Sequence, residues 1–129
     1  MTNKHKDRNE ALAAIATEAV QVWQKAQIVM EAAYWDTGPE ALSYMERLRG
    51  LPNSETLLQS LVENENRFVA AYALLTLRAM NSQKVRELPP KLLDRKDRLT
   101  IVTGSFSRVT TLGDFARRLR KDALAQNDP

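Results

Sequence analysis

The sequence predicts an all-α domain of about six or seven helices, and three observations carry that expectation. Apolar residues recur at spacings of three and four over several stretches, the pattern of helices with one buried stripe. Groups of Gly, Pro, Asn and Ser punctuate those stretches at helix-length intervals. A short phrase, LVENENRF from Leu61 to Phe68, also returns 31 residues further on as LLDRKDRL, from Leu92 to Leu99.

The chain has 129 residues, 43% hydrophobic and 27% charged. That length suits one core. The expected organisation is a flexible N-terminal arm over 1–8, a single α-helical domain over 9–125 and a frayed tail over 126–129. There are no cysteines, which excludes disulfides, thiol nucleophiles, zinc ribbons and iron–sulfur sites. The N-terminus is polar, and Glu18, Gln21, Gln24 and Lys25 interrupt the apolar run behind it. Neither a signal peptide nor a membrane span is expected, and a cytoplasmic location follows as the expectation.

From Asn9 to Tyr34, the residues Leu12, Ile15, Ala16, Ala19, Val22, Trp23, Ala26, Met30 and Ala33 form one stripe, which predicts a long amphipathic first helix. Thr37-Gly38-Pro39-Glu40 is a break and a restart, with Pro39 at a first helical position where its missing N–H costs nothing. The second helix runs to about Arg49, and Gly50 is placed to take a left-handed cap. Asn53 or Ser54 is expected to cap a short helix ending near Glu63, and Asn66 to cap a helix from Arg67 to Met80. The last of these is apolar almost all round, as a central helix is. A final helix, capped by Thr110 or Thr111, carries the stripe Leu112, Phe115, Ala116, Leu119 and Ala123.

In the repeated phrase, Leu61 lies over Leu92, Glu63 over Asp94, Asn66 over Asp97, Arg67 over Arg98 and Phe68 over Leu99. Each copy reads as a short helix, a polar turn ending in a capping Asn or Asp, then Arg and a large apolar residue. Helix pairs repeating at this interval mark α-solenoids. The run from Glu65 through RFVAAYALLTL resembles the opening of a HEAT-like helical repeat, over roughly residues 55–110. The resemblance implies HEAT-like helix-pair packing, and self-association to cover the apolar faces of a short solenoid. The second copy departs from the pattern, with Pro89-Pro90 in its short helix and Thr100 to Gly104 where the first has Ala and Leu. A rival reading therefore stands at 99–110: β-branched residues flank Gly104-Ser105, which suits a two-residue β-hairpin. A helix is the preferred reading, and a hairpin would make a β wing favouring nucleic acid.

Catalysis needs converging titratable groups, and few are on offer. His5 is the only histidine and lies in the polar arm. Glu63, Glu65, Asp94 and Asp97 are interleaved with Asn, Arg and Lys, the pattern of a solvated, capped turn. With Gly only at 38, 50, 104 and 113, no phosphate-cradling motif can be written. Neither an enzyme, a metal nor a cofactor is expected. Trp23 reads as core, while Tyr34 and Trp35, at a helix end, are the candidate aromatic contact.

Charge is the most informative feature. Residues 84–121 hold eleven Lys/Arg against four Asp/Glu, a net of +7 within an overall +3. A basic face of this kind suits phosphates or an acidic protein. The candidate binding residues are Arg95, Lys96, Arg98, Arg108, Arg117, Arg118 and Lys121. The expected function is a non-catalytic protein-binding adaptor, presenting a helical surface with a basic C-terminal face. The alternative is a DNA- or RNA-binding regulator contacting phosphates through the same third.

Overall fold

In the computed structural model, which describes residues 4–32, 40–103 and 105–125, the chain is mostly helical but not all-α. Among the described residues there are six α-helices: α1 (Lys4–Gln24), α2 (Glu40–Arg49), α3 (Ser54–Leu61), α4 (Arg67–Ala79), α5 (Pro90–Leu93) and α6 (Leu112–Ala125). A 3₁₀ turn lies at Gln83–Glu87. Three strands, β1 (Val29–Ala32), β2 (Arg98–Thr103) and β3 (Phe106–Thr111), form one mixed sheet in the order β1-β2-β3. The all-α expectation is thus corrected by a sheet joining two distant parts of the chain.

Helix α1 begins at Lys4, inside the expected arm, and buries Leu12, Ala16, Ala19 and Trp23 of the predicted stripe, with Ile15 and Val22 partly buried. It ends ten residues before the predicted end at Tyr34. Beyond Gln24 the chain turns, Lys25 and Ala26 donating to the carbonyls of Val22 and Trp23, and then enters β1. The cause lies 42 to 44 residues away: the Tyr72 hydroxyl accepts from the Met30 N–H at 3.1 Å and donates to the Ile28 carbonyl at 3.0 Å. Pairing with β2 satisfies further backbone groups of β1, so tertiary partners override the helical period. Val29 pairs with Ile101 in parallel, and the crossover between the two strands contains α2 to α5.

Helix α4 is the axis of the core, with every residue from Phe68 to Leu77 buried. Asn66 caps it as expected, its side-chain oxygen accepting from Phe68 N–H at 2.9 Å and Val69 N–H at 3.2 Å. Trp23 stacks on Tyr72 with ring centroids 5.8 Å apart and donates its indole N–H to the Ala41 carbonyl, tying α1, α2 and α4 together. Two expected caps differ. Gly50 does not adopt positive φ; the left-handed residue is Asn53, at φ 65°, and its side chain makes no capping bond. Ser54 is buried inside α3, with its hydroxyl directed at the Met80 sulfur.

Over 99–110 the structure has the hairpin and not the preferred helix. Arg98 to Thr103 pairs antiparallel with Thr111 to Phe106 in unbroken register, leaving two residues between Thr103 and Phe106. The repeated phrase therefore gives no second helix pair: its first copy leads into α4 and its second into β2. Leu99 and Ile101 point into the core, where Leu112, Phe115, Ala116, Leu119 and Ala123 of α6 are buried as predicted.

Candidate macromolecule interface

The basic third is organised around the turn Leu93–Asp97. Pro90 sits at the first position of α5, where no N–H is needed, and Asp94 ends that helix. From this turn the Arg95 guanidinium reaches back to the other copy of the phrase. It donates to the carbonyls of Asn64 at 2.6 Å and Glu65 at 2.7 Å, and to both oxygens of Asp97. The hydrogen bond from Arg95 holds the Asp97 carboxyl below its ordinary pKa, against a smaller opposing effect of burial. The backbone of the same turn receives α6: Leu112 N–H donates to the Asp97 carbonyl and Gly113 N–H to that of Arg95. Asp114 N–H is capped by the Thr111 hydroxyl.

Gly113 is where the approach is tightest. A Cβ there would lie 2.4 Å from the Leu93 carbonyl oxygen and 2.8 Å from that of Arg95. Only glycine lets the first turn of α6 come so close to the turn that receives it.

The predicted basic residues differ in their exposure. Arg95, with its side chain only 18% exposed, is spent on internal contacts. Arg117 is half-exposed but bound to the Leu93 carbonyl and the Asp94 carboxylate. The Arg118 guanidinium lies over the Phe115 ring, 5.4 Å from its centroid. Lys96, Arg98, Arg108 and Lys121 are exposed. These four do not form one helical face: Lys96 is on the turn, Arg98 on β2, Arg108 on β3, and Lys121 roughly 14 Å along α6 from its start. Tyr34 and Trp35 lie outside the described residues.

What the sequence reading missed is the state of β3. Phe106 is 79% exposed and Val109 68%, and every side chain from Phe106 to Val109 is exposed. Strand β3 is an outer strand of the sheet, paired on one side only among the described strands. The signal was present in the Gly104-Ser105 pair between β-branched runs, but the outward exposure of Phe106 was not.

Two hollows lie on the surface formed by the described residues. One, of about 590 Å³, lies between the two copies of the phrase and is lined by Val62, Glu63, Glu65, Lys91, Leu92 and Arg95. The other, of about 500 Å³ and mostly polar, is bordered by Glu55, Ser82, Lys84 and Glu87. There the Ser82 hydroxyl donates to the Glu55 carboxylate and accepts from Lys84 N–H. Among the described residues no three His, Asp or Glu side chains are grouped to hold a metal ion, and no helix is long and apolar enough to cross a membrane. No family model matches the sequence, and neither a curated protein nor a solved structure shows significant similarity to it.

Proposed function

We propose that the chain is a non-catalytic protein-binding module whose contact surface is the β2–β3 hairpin. The observation that carries this reading is the pair of large apolar side chains, Phe106 and Val109, held in solvent on an outer strand. Exposed aromatics on a rigid element are typical anchors of protein interfaces. The engagement of Arg95, Arg117 and Arg118 within the domain supports reading the hairpin, and not the helical basic face, as the contact. Arg98 at the base of the hairpin and Lys96 beside it would steer an acidic partner.

The test is comparative capture. Phe106 and Val109 are exposed, so a doubly substituted Phe106→Asp, Val109→Asp chain should keep its fold. It should lose a protein that the unsubstituted chain binds stoichiometrically, and equal capture by both would remove the hairpin as the contact.

Nucleic acid is the second reading, favoured by Arg98 and Arg108 standing on the same hairpin as Phe106, where a base could stack. Fluorescence anisotropy of labelled duplex and single-stranded DNA and RNA at two salt concentrations separates the two. Binding that weakens steeply with salt, with a log–log slope near −0.9 per phosphate neutralised on duplex DNA, and that drops on Arg98→Ala would favour nucleic acid. The protein-binding reading expects no tight salt-sensitive complex.

A further inference from the structure

Resting on the protein-binding reading, we infer that the outer edge of β3 accepts an extended acidic and apolar segment of a partner protein as a fourth strand.

The hydrogen-bond pattern identifies the backbone groups available for this. In an antiparallel ladder, residues that exchange both hydrogen bonds alternate with residues that exchange none. The Leu112 N–H donates to the Asp97 carbonyl, and Thr103 pairs with Phe106 with two residues between them in the sequence. Both place the bonded pairs at Leu99–Thr110, Ile101–Arg108 and Thr103–Phe106. The N–H and C=O groups of Ser107 and Val109, and the N–H of Thr111, therefore face away from β2 along an edge that no described strand occupies, while the Thr111 carbonyl is taken by the first turn of α6.

Sheet edges are ordinarily blunted by proline, lysine, inward charge or a bulge. The β3 sequence FSRVTT contains no Pro, Lys, Asp or Glu, its one charge is Arg108, and its register with β2 is continuous from Phe106 to Thr111. An added strand would find alternate side chains to lie against: Phe106 and Thr110 on one face, Val109 and Thr111 on the other.

Charge selects the occupant. Residues 98–111 contain two arginines and no carboxylate. Of the neighbouring acids, Asp97 is paired with Arg95 and Asp94 with Arg117, and Asp114 is exposed in the first turn of α6. Lys96 and Arg98 are exposed beside the hairpin. A second copy of the chain would bring two like-charged hairpins and two +7 thirds together, whereas an acidic strand meets complementary charge.

The experiment is residue-resolved amide hydrogen exchange on the full chain, alone and with a short synthetic peptide alternating valine and glutamate. A valine–lysine peptide of equal length is the control. The acidic peptide should slow exchange at Ser107, Val109 and Thr111 by about tenfold or more while changing Thr110 and Arg108, already bonded to β2, far less. The lysine peptide should have no such effect.

No added protection with either peptide, or equal protection with both, would overturn the inference. So would protection without peptide that rises with protein concentration, because a second copy would then occupy the edge. The two proposals fail separately. If the Phe106→Asp, Val109→Asp chain loses its protein partner while the edge amides stay unprotected by peptide, the hairpin remains the contact and strand addition is wrong.

Discussion

The turns at Leu61–Arg67 and Leu92–Arg98 follow one pattern of residue types and lead into opposite structures. Behind the first comes α4, the most buried helix; behind the second comes β2, the middle strand of the sheet. The difference begins at the equivalent positions Asn66 and Asp97. The Asn66 side chain satisfies two free N–H groups of α4, whereas the Asp97 carboxylate is held by Arg95 and the Asp97 carbonyl extends the β2–β3 ladder to Leu112. Downstream residues reinforce each outcome. Ala and Leu follow Arg67, while Thr, Ile and Val, which lose side-chain freedom in helices and fit pleated surfaces, follow Arg98. A polar turn ends one element; the cap and the propensity beyond it decide what the next will be.

The two turns also touch, and disturbing the contacts that the second turn makes, with α6 and with the first turn, should have the largest effects. Gly113→Ala forces a methyl group into the carbonyls of Leu93 and Arg95, both backbone and unable to swing aside. It should cost roughly 3 kcal/mol, the upper end for overpacking, read as a lowered midpoint in urea unfolding. Arg95→Lys is the next largest. Lysine keeps the charge but not the planar fork that serves two carbonyls and a carboxylate at once. A loss of about 2 kcal/mol is expected, the range for bonds to a charged group. The same exchange at exposed Arg98 should change the midpoint far less.

The legible parts of the fold were those written in local period. The stripes of α1 and α6, the apolar girth of α4 and the Asn66 cap depend on residues within a turn or two of one another. Strand β1 was not legible: Ile28 to Ala32 continues a helical spacing, and its conversion depends on the Tyr72 hydroxyl and on β2, far along the chain. Burial in the same place pushes the Tyr72 hydroxyl above its ordinary pKa. At the candidate site the exposed cations could be named from charge alone. The internal commitment of Arg95 and Arg117 could not, because the groups they bind include backbone carbonyls of Asn64, Glu65 and Leu93, which carry no mark in a sequence.

The smallest effect sharpens the comparison most, because it concerns only the carboxylate that replaces an amide in the second turn. The bond from Arg95 lowers the Asp97 pKa in the folded chain below its ordinary value of 3.8. A group whose pKa is depressed on folding adds stability that is fully present above its unfolded pKa and is lost as pH falls through the folded value. Stability from this pair should accordingly be constant from neutral pH down to about 4 and decline in more acid solution. Asp97→Asn makes the second turn more like the first and removes the titrating group, so its unfolding free energy should lack that part of the acid decline. Urea unfolding at a series of pH values between 2 and 6 would show the two curves converging at the acid end. Parallel curves would mean that Arg95 is held by the carbonyls of Asn64 and Glu65 alone, and that the clasp between the turns does not need the carboxylate.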